Sequence, residues 1–155
     1  YATALEWYYK AAAQGDAGAQ CRIAWLHEYG NGVEQNHATA LEWFNKASAQ
    51  GCAEAQHGIG LHYERGRAVE QDYATALEWY RKAAAQELAV TQYGIGRFYE
   101  DGLGVEKNCA TAQEWYRKAA DQGFAEALPR IRNCSDAWPA PGSSCTCPCG
   151  IHGMH

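Results

Sequence analysis

The hexapeptide Ala-Thr-Ala-Leu-Glu-Trp stands at residues 2–7, 38–43 and 74–79, and returns at 110–115 with Gln113 in place of leucine. The offset is 36 residues each time. A fixed period of this length dictates a repeat array, in which one supersecondary unit buries its apolar face only by stacking on its neighbours. The units run 1–36, 37–72 and 73–108, with a partial fourth over 109–132. The relevant size of the chain is therefore its number of units, which sits near the lower limit for a stable array.

Residues 37–72 show what one unit contains. From Ala38 to Gln50 the apolar residues Ala40, Leu41, Trp43, Phe44 and Ala47 recur at helical spacing. Asn36 is placed to cap this first helix, and Gly51 to end it at positive φ. Glu42 precedes Lys46 by four, the orientation of a helix-surface ion pair, and the pair recurs as Glu6–Lys10, Glu78–Lys82 and Glu114–Lys118. A second helix is expected over 53–65, with Ala53, Gln56, Ile59, Gly60 and Tyr63 facing inward. The small residue at its centre recurs as Ala24, Gly60 and Gly96. Glycine costs about 1 kcal/mol inside a helix, so its repetition predicts a close neighbour there, with Trp43 and Phe44 of the antiparallel partner beside Ala53 and Gly60.

A loop closes each unit. Gly30-Asn31-Gly32-Val33 and Gly102-Leu103-Gly104-Val105 provide a helix stop and a tight turn, and the valines are expected to plug the gap between units. The middle loop has Ala68 where the others have the second glycine, which predicts strain if the position needs positive φ. Glu87 likewise replaces the glycine found at Gly15, Gly51 and Gly123, and predicts a distorted turn between the two helices of its unit.

The net charge of −5 argues against nucleic-acid binding, which needs clustered lysine and arginine. No apolar run is long enough to span a membrane. The sequence opens on Tyr1, inside a repeat, as a fragment or processed piece would. Of the seven cysteines, Cys21, Cys52 and Cys109 fall at different repeat positions, so they do not form a disulfide framework that repeats with the unit. They read as small buried or half-buried thiols.

The fourth unit changes character. Pro129 lies about one turn into its second helix, and Arg130, Arg132 and Asn133 follow where other units are small or apolar. This segment fits a polar capping helix or a frayed end. Residues 133–155 form an irregular tail rich in Cys, Pro and Gly, too poor in apolar surface to fold alone. Within it Cys145, Cys147, Cys149, His152 and His155 are dense enough to bind zinc or copper(I), although Cys-x-Cys spacing departs from the Cys-x-x-Cys pairs of structural zinc sites. Disulfides, or thiols without a role, are the alternatives. Asn133-Cys134-Ser135 matches a glycosylation sequon. His27, His57 and His62 read as packing or surface residues. No nucleophile triad, phosphate loop or paired-carboxylate motif appears, so no catalytic residue and no cofactor is assigned.

Ala55-Gln56, Ile59-Gly60, Tyr63 and Gly66, followed by Ala76-Leu77-Glu78-Trp79-Tyr80 and Lys82-Ala83-Ala84, resemble the Sel1-like repeat, as does the run from Gln92 to Val105. The resemblance covers residues 1–132. It implies an all-α fold, an α/α right-handed superhelical solenoid of helix-turn-helix repeats related to tetratricopeptide arrays, with the first helices on the concave side. It also implies a protein-interaction scaffold or adaptor that binds a protein or peptide. Cysteine-rich members of the family carry a disulfide in each repeat. This chain lacks that pairing, so their ligand-binding or hydrolase activity stands only as an alternative, beside metal binding by the tail.

On an array, positions free of packing duty can encode a partner. Two residues after each Trp the chain varies as Tyr9, Asn45, Arg81 and Arg117, on the side the resemblance assigns to the groove. Tyr and Arg are the residue types enriched at binding hot spots. Trp25 and Tyr29, four apart on the outward stripe of a second helix, form a further candidate contact.

Overall fold

The computed structural model describes residues 2–135. Eight helices and no strands occur among them: α1 Ala2–Ala13, α2 Ala17–Tyr29, α3 His37–Ala49, α4 Ala53–Arg65, α5 Tyr73–Ala84, α6 Ala89–Asp101, α7 Cys109–Asp121 and α8 Ala127–Ser135. They form four antiparallel hairpins, and each second helix also packs on the first helix of the next unit. The result is an all-α solenoid.

Local chemistry sets the helix ends. The side chains of Asn36, Asp72 and Asn108 accept hydrogen bonds from backbone N–H groups in the first turns of α3, α5 and α7, meeting donors that have no partner inside the helix. Gly51 ends its helix turn at φ 82°. The two expected exceptions are also there. Ala68 holds φ 60° and Glu87 φ 61°, a region unfavourable to side chains. The turn at Glu87 keeps the left-handed conformation of its glycine counterparts. The accommodation is in α5, which stops at Ala84, short of the positions where α3 and α7 end. In the closing loops Val33, Val69 and Val105 are half-buried, and Val105 packs on the core of its unit.

The core repeats with the unit: Ala40, Ala76 and Ala112, Phe44, Tyr80 and Tyr116, and Ala47, Ala83 and Ala119 are all buried, as are Ile23, Ile59 and Ile95 of the second helices. Three details differ from the sequence reading. First, the recurring Trp is not a core residue, since Trp43, Trp79 and Trp115 are half-buried and the aromatic after each is fully enclosed. A stripe wide enough to cover a core includes edge positions, and Trp stands on that edge. Second, the glycines do meet a close neighbour, but Gly60 meets the next unit. A Cβ on Gly60 would lie 2.5 Å from Tyr80, and one on Gly96 2.5 Å from Tyr116. At the first junction Ala24 fills the equivalent place, and Phe44 lies instead over Gly58, 2.6 Å from where its Cβ would be. Third, α4 buries Ala55, Gly58, Ile59, Gly60 and His62, while Ala53, Gln56 and Tyr63 are half-buried.

At the C-terminal end Pro129 is the third residue of α8, a first-turn position where its missing N–H would have no helical partner anyway. Ala127 is buried there against Tyr116 and Ala119. The tail candidates Cys145, Cys147, Cys149, His152 and His155 lie outside the described residues.

Candidate functional site

The first helices present a repeated surface. In α1, α3, α5 and α7 the lysine three residues after Trp lies over the indole ring, with Nζ 4.9 Å from the centroid for Lys10–Trp7, 4.1 Å for Lys46–Trp43 and Lys82–Trp79, and 4.3 Å for Lys118–Trp115. This cation–π contact, worth about 0.5–1 kcal/mol at an exposed site, takes the place of the expected Glu–Lys ion pairs. The glutamates Glu42, Glu78 and Glu114 stay exposed on the same helices. The other side of each indole packs on the preceding unit. Trp43 lies on the Ala12, Ala19 and Ile23 cluster, Trp79 on the cluster around Phe44, and Trp115 on that around Tyr80. Trp7, in the first helix, is 65% exposed.

Two of the variable residues, Tyr9 and Arg81, face the Trp of the next unit. The Tyr9 ring meets Trp43 edge-on at 5.9 Å, and its hydroxyl donates to His27 Nε2 at 3.0 Å. Arg81 donates to the Tyr99 hydroxyl at 2.8 Å and shares a cleft of about 600 Å³ with Trp115, Lys118, Ala85, Glu87 and Asp121. The cleft is thus a bay between the adjacent first helices α5 and α7. Asn45 and Arg117 are exposed on the same rows of α3 and α7. Tyr9 and Arg81 are held by second-helix residues, whereas Trp25 and Tyr29 belong elsewhere. Their rings stack at 5.6 Å, and Trp25 is half-buried edge-on against Phe44 at 4.8 Å, leaving Tyr29 as the exposed member. They line a separate cleft of about 470 Å³ with Tyr8, Arg22 and Glu54.

Two recurring polar systems escape a reading by helical stripe alone. Glutamines join successive units: Gln50 donates to Gln20 at 3.0 Å, Gln86 to Gln56 at 3.2 Å and Gln122 to Gln92 at 2.8 Å. Carboxylates near the ends of the second helices lock each junction. Glu64 accepts from the Tyr80 hydroxyl and pairs with Arg97 at 3.2 Å, and Glu100 accepts from the Tyr116 hydroxyl and pairs with Arg130 at 3.3 Å. Burial, reinforced by these carboxylates, pushes both phenols up, so each remains a donor. Phe44 has no hydroxyl, and Glu28 is held instead by His37 at 2.8 Å and by Arg67, while His62 Nε2 lies 3.2 Å away without a hydrogen bond. His62 Nδ1–H donates to the Arg67 carbonyl at 2.8 Å. Burial works to raise the Glu28 carboxyl, but hydrogen bonds from His37 and Arg67 bring it below the usual range. Burial holds His62 itself down. The 36-residue recurrence of Glu28, Glu64 and Glu100, and of both glutamine sets, was the available signal in the sequence.

Among the described residues no group of three His, Cys, Asp or Glu side chains could hold a metal ion, and no helix is long and apolar enough to cross a membrane.

The family description "Sel1 repeat" matches residues 1–16, 17–52, 53–88 and 89–124, starting each unit at the second helix. Among solved structures the chain is similar to a Sel1 repeat protein from Oxalobacter formigenes, with 39% identity and a TM-score of 0.74 over 81% of this chain and 52% of that one. It is also similar to a protective antigen present in uropathogenic Escherichia coli strains, which displays an SLR fold, with 38% identity and a TM-score of 0.79 over 86% of this chain and 28% of that one. Cysteine-rich protein B of Helicobacter pylori shares the fold, with 23% identity and a TM-score of 0.64 over 82% of this chain and 91% of that one. The chain thus spans about half, or less, of the two more identical proteins. No curated protein matches it.

Proposed function

The chain belongs to the Sel1 repeat family, whose members are generally protein-interaction scaffolds, and on that premise we propose that it is a non-catalytic scaffold whose row of first helices holds an extended peptide or the edge of a partner domain. The observation that carries this reading is the bay between α5 and α7, with Arg81 on one wall and the lysine-covered Trp115 on the other. The same Trp–Lys wall recurs in α3 and α5, and the residue facing the wall changes from Tyr9 at Trp43 to Arg81 at Trp115. A constant aromatic wall with a changing neighbour supplies general affinity and local selectivity, as hot spots do in peptide grooves. The titratable cluster at Glu28 is spent on joining units one and two, which supports a structural role for His37 and His62.

The test is direct. Peptides selected from a random display library on the folded chain are measured by fluorescence anisotropy against wild type, an Arg81→Glu/Arg117→Glu variant and a Tyr29→Ala variant. A loss of about tenfold or more in affinity, about 1.4 kcal/mol, is expected for the first variant and none for the second. Unchanged binding to the arginine variant refutes the groove. Loss in the tyrosine variant alone moves the site to the Trp25–Tyr29 cleft.

A further inference from the structure

Cys21 and Cys52 stand at non-equivalent positions in successive units, so the repeat pattern does not pair them. The fold does. Cys21, in α2, is 1% exposed within the cluster of Ala24, Phe44, Ala55 and Ile59, and Cys52, half-buried at the N-cap of α4, packs on that same cluster. Glu54, which the Cys21 thiol reaches, stands two residues beyond Cys52, so both cysteines meet at the N-terminal end of α4. Cys52 makes no capping hydrogen bond, so its sulfur is not committed to the helix end. Cys21 Sγ donates to Glu54 Oε2 at 3.9 Å, and Glu54 and Trp25, both neighbours of that thiol, line the cleft of about 470 Å³ that opens beside the pair.

We propose that Cys21 and Cys52 form a disulfide that staples the first unit to the second, made by exchange with a small-molecule disulfide of the glutathione class entering through that cleft. The Cys52 thiolate, the more accessible, attacks one sulfur of the small disulfide, giving a mixed disulfide on Cys52 and releasing one thiolate. Cys21 then attacks Cys52 Sγ and displaces the second thiolate, which takes up the proton that Cys21 gives up. The two protein thiols are oxidised and one small disulfide is reduced to two thiols, so atoms and electrons balance. Burial, with Cys52 and Glu54 adding to it, pushes the Cys21 thiol well up and keeps it protonated, so Cys52 reacts first and Cys21 only in the intramolecular step, where proximity offsets its small thiolate fraction. The bond would tie α2 to α4 at the junction whose carboxylate lock lacks the tyrosine hydroxyl of the other two.

The test uses the full chain incubated with oxidised glutathione, alkylated, digested with trypsin and mapped by mass spectrometry. Cleavage after Lys10 and Arg22 isolates Cys21, and cleavage after Lys46 and Arg65 isolates Cys52, each from every other cysteine. The expected product is a linked pair of these two peptides, about 2 Da below their summed mass, with a raised melting temperature that is absent in Cys52→Ser. That variant should fold, since serine is a favoured N-cap residue. Glutathione retained on Cys52 while Cys21 is alkylated after denaturation overturns the proposal, as do linkages confined to the other cysteines.

Discussion

Two glycines two residues apart in α6 should respond to the same substitution with opposite signs. Alanine is favoured over glycine inside a helix by about 1 kcal/mol. At Gly94 the added methyl would lie 3.8 Å from Tyr80, an ordinary van der Waals contact, so Gly94→Ala should keep most of that gain. At Gly96 it would lie 2.5 Å and 2.6 Å from two ring atoms of Tyr116, closer than real Cβ contacts come. Tyr116 is fully buried, so its ring cannot move into solvent, and any swing pulls its hydroxyl from Glu100. Overpacking costs about 1–3 kcal/mol, and losing a hydrogen bond to a charged group about 1.5–3 kcal/mol. After the propensity gain, Gly96→Ala should lose about 1.5–5 kcal/mol. The two variants should therefore differ by about 2 kcal/mol or more. Urea unfolding followed by far-UV circular dichroism, with the slope checked for constancy, measures the difference. If Gly96→Ala is as stable as Gly94→Ala, the tyrosine does not pack against the preceding helix, and the account of the unit junction fails.

Other outcomes follow from the same structure. Glu87→Gly and Ala68→Gly should each stabilise the chain by about 1 kcal/mol in urea unfolding, by relieving positive φ. Glu28→Ala should cost about 1.5–3 kcal/mol in the same assay, because His37 and Arg67 lose their charged hydrogen-bond acceptor. His57, stacked on Tyr80 and hydrogen-bonded to Thr91, is pushed down to about 4 by burial and then by Arg65. Its folded value lies below the unfolded one of about 6.5, so the unfolded chain binds the proton first. Stability should fall as pH drops from about 6.5 to about 4 and this component should level off below, and urea midpoints across that range should show a shallower fall in His57→Gln.

What could be read without coordinates was local or periodic. The repeat length, the helices, the caps at Asn36, Asp72 and Asn108 and the strained sites Ala68 and Glu87 all depend on residues within a few positions of one another, so chain order alone specifies them. The need for a close neighbour at Gly60 was also legible, because an unfavourable residue kept at one position implies a contact. Which neighbour it was could not be read, since the same helical stripe fits the partner helix and the next unit equally well. Tertiary packing assigned Gly60 to Tyr80, moved Trp43 to the edge of the core beneath Lys46, and recruited His37, His62 and Arg67 to Glu28 where Phe44 offers no hydroxyl. It also brought Cys21 and Cys52, at positions the period keeps apart, onto one apolar cluster. Periodicity specifies what each unit must bury; only the angle and offset at which one unit meets the next decide which side chains touch across the junction.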